Sequence, residues 1–494
     1  MKAGSCAAEI HEPRQVRKEA AVSGSLWAPQ GLLAGASWPT QAGSDVSTEG
    51  ARPLPSRGGG ASWAPPPFAS GLSNHEERVE EPIIVVGGGA SGMMAAGRAA
   101  ALGAPVLLLE KTPRLGNKLR ITGKGRCNLT NIAPLADFVG HFGPNGRFLY
   151  GAFSRFFADD LRAFFADRGV PTLVERGGRV FPEGNDADLV AHALIGYLRE
   201  GNVAIRRRTP VTELVADGGR VAAVRSGERE FPARAVIVAT GGASYPGTGS
   251  TGDGYRLLAA LGHTIVPPRP ALVPLVIAEP FVARLEGLSL RNVRATLLLD
   301  GRKLGSEFGE MLFTSFGVSG PIVLTLSKQA AEAAECGRAE LSIDLKPALS
   351  DEELDARLRR DLDQFGRRSY RRLLAGLLPR LLIDVFVELT GIPADKPGNQ
   401  ITAEERGRLR ALLRDLRLTI VGPRPIAEAI VTAGGVDVNE LDPRTLESKR
   451  IGGLYCCGEV IDVDGDTGGF NLQAAFSTGY LAGESAARAL GYGP

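Results

Sequence analysis

Ile83–Lys111 reads IIVVGGGASGMMAAGRAAALGAPVLLLEK: an apolar run enters a glycine cluster, then an alanine-rich segment, then a second apolar run closed by an acid. Ile83 to Val86 has the length and β-branched content of a buried parallel strand, and Gly87, Gly89 and Gly92 follow it as G-x-G-x-x-G. Gly87 permits the tight turn, Gly89 lets the backbone approach a pyrophosphate with no Cβ in the way, and Gly92 lets the helix pack closely on the strand. The phosphates then sit on the helix N-terminus, beside Ala90 and Ser91. The pattern predicts a helix to about Leu102 stopped by Gly103, then a strand from Val106 to Leu109 that ends in Glu110, with Lys111 beside it. An acid at that place holds a ribose diol and disfavours a 2′-phosphate. A lone glycine fingerprint also marks an ordinary strand-to-helix turn. Here strand, glycines, helix, strand and acid fall in order within about thirty residues, the context a dinucleotide site requires. This unit alone leaves FAD and NAD open.

Upstream of it, residues 1–78 are rich in Gly, Ala, Ser and Pro and hold neither helical nor strand periodicity, so a disordered extension is expected. Glu9, Glu12 and Glu19 interrupt any signal-peptide core, and Val79 is a position where a shorter native product could begin. Across the chain, 57 Lys plus Arg against 55 Asp plus Glu leave almost no net charge, which by itself selects neither nucleic acid nor a membrane surface. No apolar run approaches the roughly 18 to 20 residues needed to span a bilayer. Five cysteines without a CxxC pair suit a reducing cytoplasm.

Two later stretches supply another half to the site and favour FAD. Ala235 to Ala239 is a strand pattern running into Thr240, Gly241 and Gly242, followed by a glycine loop and a helix that Asp253 can N-cap. Leu454 to Cys457 is a second one, leading to Gly458 and Glu459, an acidic loop, and a long helix near Asn471 and Leu472. A reduced flavin carries negative charge along its N1 and C2 carbonyl edge, and a helix N-terminus brings free N–H groups there. Gly468, Gly469 and Asn471 suit that close approach, and a bulky β-branched residue at 469 is expected to block it while sparing the fold. Asp462 is placed to accept hydrogen bonds from ribityl hydroxyls. The plainer reading is a glycine-rich surface loop before a packed helix.

The motifs VVGGGASGMMAA, GNKLRITGKGRCNLTN, ATGGASYPGTGSTGDGYRLLAALGH, LFTSFGVSGP, TAGGVDV and LESKRIGGLYCCGEVIDVDGDTGGFNLQAAFSTGYLAG, in this order, resemble the BaiN/RdsA-type NAD(P)/FAD-dependent oxidoreductases, also labelled aminoacetone oxidase-like flavoproteins. The resemblance runs from about Pro82 to the C-terminus. It implies an α/β fold: a Rossmann-like FAD-binding domain interrupted by an insertion with a small β-rich part and a helical part. On that outline 79–266 is the first part of the FAD domain, 267–425 the insertion (β-rich to about 347, helical from about 348 to 416), and 426–494 the returning part. By similarity to the family, Arg120, Gly123, Gly125, Arg126, Cys127 and Asn128 line the FAD, with Arg126 offsetting flavin or pyrophosphate charge. Cys127 is a candidate nucleophile, but a small buried residue is the favoured reading, since no partner cysteine is near in sequence.

No zinc site, Ser-His-Asp set or glutamate pair emerges from the spacing of the five histidines and the acids, and no proton donor or other catalytic residue can be named. Gly247 to Gly252 repeats the glycine pattern without a strand before it, so it is read as part of the FAD or substrate loop, with NADH or NADPH binding transiently as electron donor. Arg357, Arg359, Arg360, Arg367, Arg368, Arg371 and Arg372 cluster in the helical insert, either as a solvated face or as an RNA-facing patch. The leading expectation is a cytoplasmic FAD-dependent, NAD(P)H-driven reductase of a conjugated C=C bond. By resemblance its substrate is a bile-acid-like or steroid-like ene, which is favoured, or a uracil in ribosomal RNA. The alternatives are a flavin-binding RNA-associated or regulatory protein with little turnover, and an amine oxidase.

Overall fold

The computed structural model describes residues 81–493. The expected extension over 1–78, the start at Val79, and Cys6, His11 and His75 lie outside the described residues.

Strand β1 (Ile83–Val86) is buried on both faces, as its unbroken Ile and Val run requires. It sits in the middle of a five-stranded parallel sheet with β2 (Val106–Glu110), β3 (Ala204–Arg207), β4 (Ala235–Val238) and β5 (Leu454–Cys456), in the order β5-β4-β1-β2-β3. The order reverses at β1, which opens a crevice at the carboxyl ends of β1 and β4. Helices α1 (Ala90–Ala101), α2 (Asn117–Ile121), α3 (Ala187–Glu200), α4 (Asp253–Ala260) and α5 (Phe470–Ala489) surround this sheet. The mixed α/β Rossmann class is therefore as expected from the glycine unit.

The chain leaves the Rossmann part along Ile265–Ala271 and returns along Val431–Val436, two stretches that pair antiparallel with each other. Between them, six antiparallel pairings close a barrel from Leu275–Ile277, Gly317–Ser319, Arg302–Thr314, Ser289–Leu299, Ala339–Asp344 and Leu416–Pro423. Alternating residues fill it: Val293, Ala295 and Leu297 from one strand, Leu341 and Ile343 from another, Leu416 and Leu418 from a third, all buried. Before the last barrel strand come the helices Asp351–Gln364, Tyr370–Leu374, Arg380–Thr390 and Ala403–Arg414. Two of them start in reciprocal caps, Ser350 with Glu353 and Thr402 with Glu405, as serine or threonine followed three residues on by glutamate favours.

Candidate functional site

The turn after β1 is built by close backbone contacts. Gly87 has φ +109, and a side chain there would run into Ala239 O; a Cβ at Gly92 would collide with Gly87 O. Gly89, by contrast, faces open space. It is the N-cap of α1 and offers no side-chain cap, so the first N–H groups of the helix are left for a ligand. Helix α5 lies against α1 with Gly479 over Ser91 O and Gly483 over Ala95 O, positions where any Cβ would collide. Small residues on both helices thus bring two backbones together and set two helix N-termini beside one crevice.

That crevice encloses about 1460 Å³, its open mouth included, and runs from Glu110 and Lys111 past Gly89, Ala90 and Ser91 to Thr240, Glu459 and Asn471. Glu110 is fixed at one end by two backbone donors, Gly88 N and Thr112 N, both 2.7 Å from its carboxylate oxygens. Each oxygen keeps a second lone pair for a diol. Lys111 Nζ lies 2.6 Å from Asp253. Burial alone would raise the Asp253 carboxyl, but the Lys111 ammonium, helped by the Thr251 hydroxyl and Arg256, offsets this and holds it low.

Towards the other end Lys118 Nζ donates to Ser244 Oγ at 2.7 Å and to both Glu459 oxygens at 2.7 and 3.0 Å. Glu459 also accepts from Thr432 N at 2.8 Å and from Ser244 Oγ at 3.1 Å. Four separate segments therefore meet at one carboxylate, among them the strand by which the insertion returns. Thr478 of α5 accepts from Gly458 N at 3.0 Å and pins the turn that carries Glu459. Thr240 Oγ1 is buried on the crevice wall with no hydrogen-bond partner among the described residues, an orphan that a ligand hydroxyl or phosphate oxygen would satisfy. An acid for a ribose, uncapped helix N-termini, a glycine facing open space and an orphaned hydroxyl together fit an adenine dinucleotide.

Of the residues expected from the sequence, Gly87, Gly89, Ala90, Ser91, Glu110, Lys111, Thr240, Gly241, Gly458, Glu459, Asn471 and Leu472 line this one crevice. Gly92 and Gly242 serve packing instead, the latter against the Thr432 side chain. Arg120, Gly123, Gly125, Arg126, Cys127 and Asn128 stand off its wall. Arg120 turns to Asp188, while Arg126 is held by Glu175 and Asn185 and lies 4.1 Å over the Phe181 ring. Gly123 and Gly125 take positive φ in the turn after α2. Cys127 is fully buried, and burial pushes its thiol up, away from the reactive thiolate. Asn128 Oδ1 is buried without a partner among the described residues.

Asp462 also stands off the wall: Asn145 Nδ2 donates to its carboxylate at 3.0 Å, and burial raises it. Gly468 and Gly469 cap α5 at positive φ, and a Cβ at Gly469 would collide with Thr130 O. A bulky residue at 469 thus strikes protein backbone, and the expectation that it would spare the fold is corrected. Asp253 is the first residue of α4 rather than its cap, which is Gly252. Thr248, Gly249 and Ser250, from the second glycine pattern, line the crevice near Lys111.

Sequence reasoning missed Lys118, Ser244 and Thr432. All three stand inside motifs quoted for their glycines, and a lysine two residues after Gly116 was the available signal. It also missed a buried chain in which Ser448 Oγ lies 2.9 Å from His263 Nε2 and His263 Nδ1 lies 2.9 Å from Glu440. Ser448 Oγ accepts from the N–H groups of Arg450 and Ile451 at 3.0 Å. That hydroxyl is a buried turn acceptor and not an available nucleophile. Among the described residues no cluster of His, Cys, Asp and Glu could hold a metal, and no helix is long and apolar enough to cross a membrane.

Residues 81–485 match the family described as HI0933-like protein Rossmann domain. Over 387 residues the chain is 35% identical to a 3-dehydro-bile acid delta(4,6)-reductase of Clostridium scindens, with 78% of this chain and 93% of that protein covered. Over 389 residues it is 31% identical to a ribosomal RNA dihydrouridine synthase of Escherichia coli, with 78% and 93% covered. Among solved structures, a 3-ketosteroid delta1-dehydrogenase from Sterolibacterium denitrificans aligns with TM-score 0.45 and 15% identity over 83% of this chain and 99% of that one.

Proposed function

Because the chain belongs to the HI0933-like Rossmann family, the BaiN/RdsA-type FAD-dependent oxidoreductases, we propose that it is an FAD enzyme that draws a hydride from NADH or NADPH and saturates a conjugated C=C bond. The observation that carries this reading is the single crevice running from Glu110 past two uncapped helix N-termini to Glu459. When bound there, FAD would supply a two-electron carrier, taking the hydride of NAD(P)H and delivering it to the β-carbon of an unsaturated carbonyl compound, whose α-carbon takes a proton.

The protein's own part is binding and orientation. Glu110 would hold the adenosine ribose, and the N–H groups of α1 the pyrophosphate. The α5 N-terminus would set a partial positive charge at the far end, where a reduced flavin gathers negative charge. Lys118 and Glu459 neutralise each other across the crevice and fix its two walls at a set separation. A small unsaturated ring compound is the favoured substrate, in the cytoplasm. A ribosomal RNA uracil is the second reading, favoured by Arg367 and Arg372, which are exposed and make no ion pair among the described residues.

Anaerobic stopped-flow mixing of the FAD-loaded protein with NADH and NADPH tests the reading. Bleaching of the flavin band by at least one donor, and its return on adding a conjugated ring ketone or a uridine-containing RNA, is expected. Oxidised flavin that neither donor reduces would favour a binding protein without turnover, and reduction by a primary amine alone would favour an amine oxidase.

A further inference from the structure

The insertion holds a cavity of its own, apart from the crevice. It encloses about 630 Å³, its open mouth included, where the start of the barrel strand Ser289–Leu299 and the chain after Asp344 face the turn before Pro379. Strand pairing fixes its place. Leu416 opens the last barrel strand opposite Ile343, two residues before the cavity's Leu345, whereas Pro423 closes that strand opposite Leu275, where the chain comes in from the Rossmann part. The two ends of such a strand lie roughly 23 Å apart. None of the residues around this cavity lines the crevice.

Its walls are apolar and its charge is of one sign. Leu290, Val293, Leu345, Leu377 and Leu378 are all buried, and Lys346 stands among them. Lys346 Nζ donates to Leu377 O at 2.8 Å and makes no ion pair among the described residues, which leaves two of its three N–H donors for another acceptor. Asp344, two residues back, accepts from Lys346 N with one oxygen and from Arg414 with the other. Arg291 also lines the cavity, and its acid, Glu310, is 3.9 Å away on the exposed surface. Burial, with the Arg357 charge added to it, lowers the Lys346 ammonium. A half-buried cation without an acid is unfavourable, and an incoming anion would relieve it.

The backbone is shaped at the same place. Pairing of Ser289–Leu299 with Arg302–Thr314 slips between Leu290 and Val293, and Asn292 takes φ 54. Such bulges gather at barrel rims and beside functional sites, where they re-aim a side chain. This one falls between Arg291 and Val293, both of which line the cavity.

We propose that this cavity is a second ligand site that takes a small organic carboxylate. The hydrocarbon body lies against the leucines, and the carboxylate accepts from Lys346 Nζ, with the exposed Arg291 adding charge. A phosphate would call for more N–H donors than one lysine and one arginine supply, and would gain nothing from the apolar walls. A neutral lipid would leave the ammonium unpaired. The proposal does not depend on what the crevice binds.

The test titrates the full chain, with FAD in excess, by calorimetry with octanoate, with octanamide as its neutral counterpart, and with inorganic phosphate. Octanoate should bind with a Kd of about 1 mM or tighter and leave the flavin visible spectrum unshifted. Octanamide on wild type, and octanoate on Lys346→Met, should bind about tenfold or more weaker, the scale of a lost charged hydrogen bond. Lys346→Arg should keep octanoate within about threefold of wild type. Arg291→Gln, at an exposed position, should weaken octanoate by about threefold, and this variant and the octanamide comparison decide the matter if Lys346→Met does not fold. No binding of octanoate at about 10 mM overturns the site, and octanamide bound as well as octanoate, or Lys346→Met within about threefold of wild type, overturns Lys346 as the anion's partner. A flavin shift on adding octanoate would put it in the crevice, and displacement of octanoate by an equal concentration of phosphate would make the site one for phosphate groups; either result overturns the proposal.

Discussion

The Rossmann half and the insertion bury their helices by opposite means. Helix α1 is almost all Ala, Gly and Met, and α5 meets it through Gly479 and Gly483, so backbone lies on backbone. In the insertion, Tyr370, Leu374, Leu382, Phe386, Leu409 and Leu413 fill the space between helices with large side chains. Ion pairs such as Lys396 with Glu405 at 2.7 Å and Arg406 with Asp355 at 3.0 Å tie their outer faces. Large side chains bury more apolar surface each, but they hold backbones apart. Small ones forgo that burial and deliver uncapped N–H groups to a crevice. The difference separates a half shaped around a ligand from a half shaped around its own core.

If that division is right, the two halves should fail differently. Phe386→Ala empties a fully buried site of the insertion and should cost about 3–5 kcal/mol in urea unfolding, with FAD bound per folded chain unchanged. Gly479→Val should cost less, about 1–3 kcal/mol, but should abolish FAD retention by forcing α5 away from Ser91 O. Absorbance at the flavin band per folded chain checks both. A Gly479→Val protein that stays yellow would mean the closeness of the two helix N-termini does not matter to the cofactor.

The same division explains what was legible in the sequence. The strand, glycines, helix and Glu110 were readable because each is decided within a few residues by local sterics and period. Gly469 was misjudged because a glycine reports that space is needed and not whether a ligand or Thr130 O needs it. Arg126 is expected to offset flavin or pyrophosphate charge and Asp462 to accept from ribityl hydroxyls, and the partners the structure gives them, Glu175 and Asn145, are reached only through the tertiary fold. Alternation in the Val293 to Leu297 and Leu341 to Ile343 stretches announces strands, but nothing in one strand says that six of them close a barrel. The Lys118–Glu459 pair joins residues 341 positions apart, and a single sequence does not carry that pairing.

Within the Rossmann half, Glu110→Ala should weaken FAD by about 1–3 kcal/mol, the scale of a charged hydrogen bond, with a smaller effect on unfolding. It also removes the acceptor for Gly88 N and Thr112 N, so some loosening of the glycine turn is part of the effect. Fluorescence titration of apoprotein with FAD gives the number. Unchanged affinity would mean that the ribose end lies elsewhere and that the crevice is entered from its other side.

The smallest effect is expected at the arginines of the insertion, and it is the one that tells whether this half meets RNA. The structure divides them. Arg371 is paired with Asp384, Arg359 with Asp355, and Arg368 lies 4.4 Å over the Phe365 ring, whereas Arg360, Arg367 and Arg372 are exposed and make no ion pair among the described residues. Arginines already satisfied by acids gain little from phosphate, so the three free ones carry the test. Changing Arg360, Arg367 and Arg372 to Gln should leave stability, FAD content and reduction by NAD(P)H as in wild type, since none of these residues lies on the crevice wall. If the substrate is RNA, affinity for a ribosomal RNA fragment should fall and the slope of log K against log salt should flatten by about 0.7 to 0.9 for each phosphate no longer neutralised. If the run is a solvated face, the slope for wild type is shallow and the variant does not change it, which is the outcome expected for a small-molecule enzyme. A steep wild-type slope that the triple change leaves intact would place any RNA-binding surface elsewhere on the molecule.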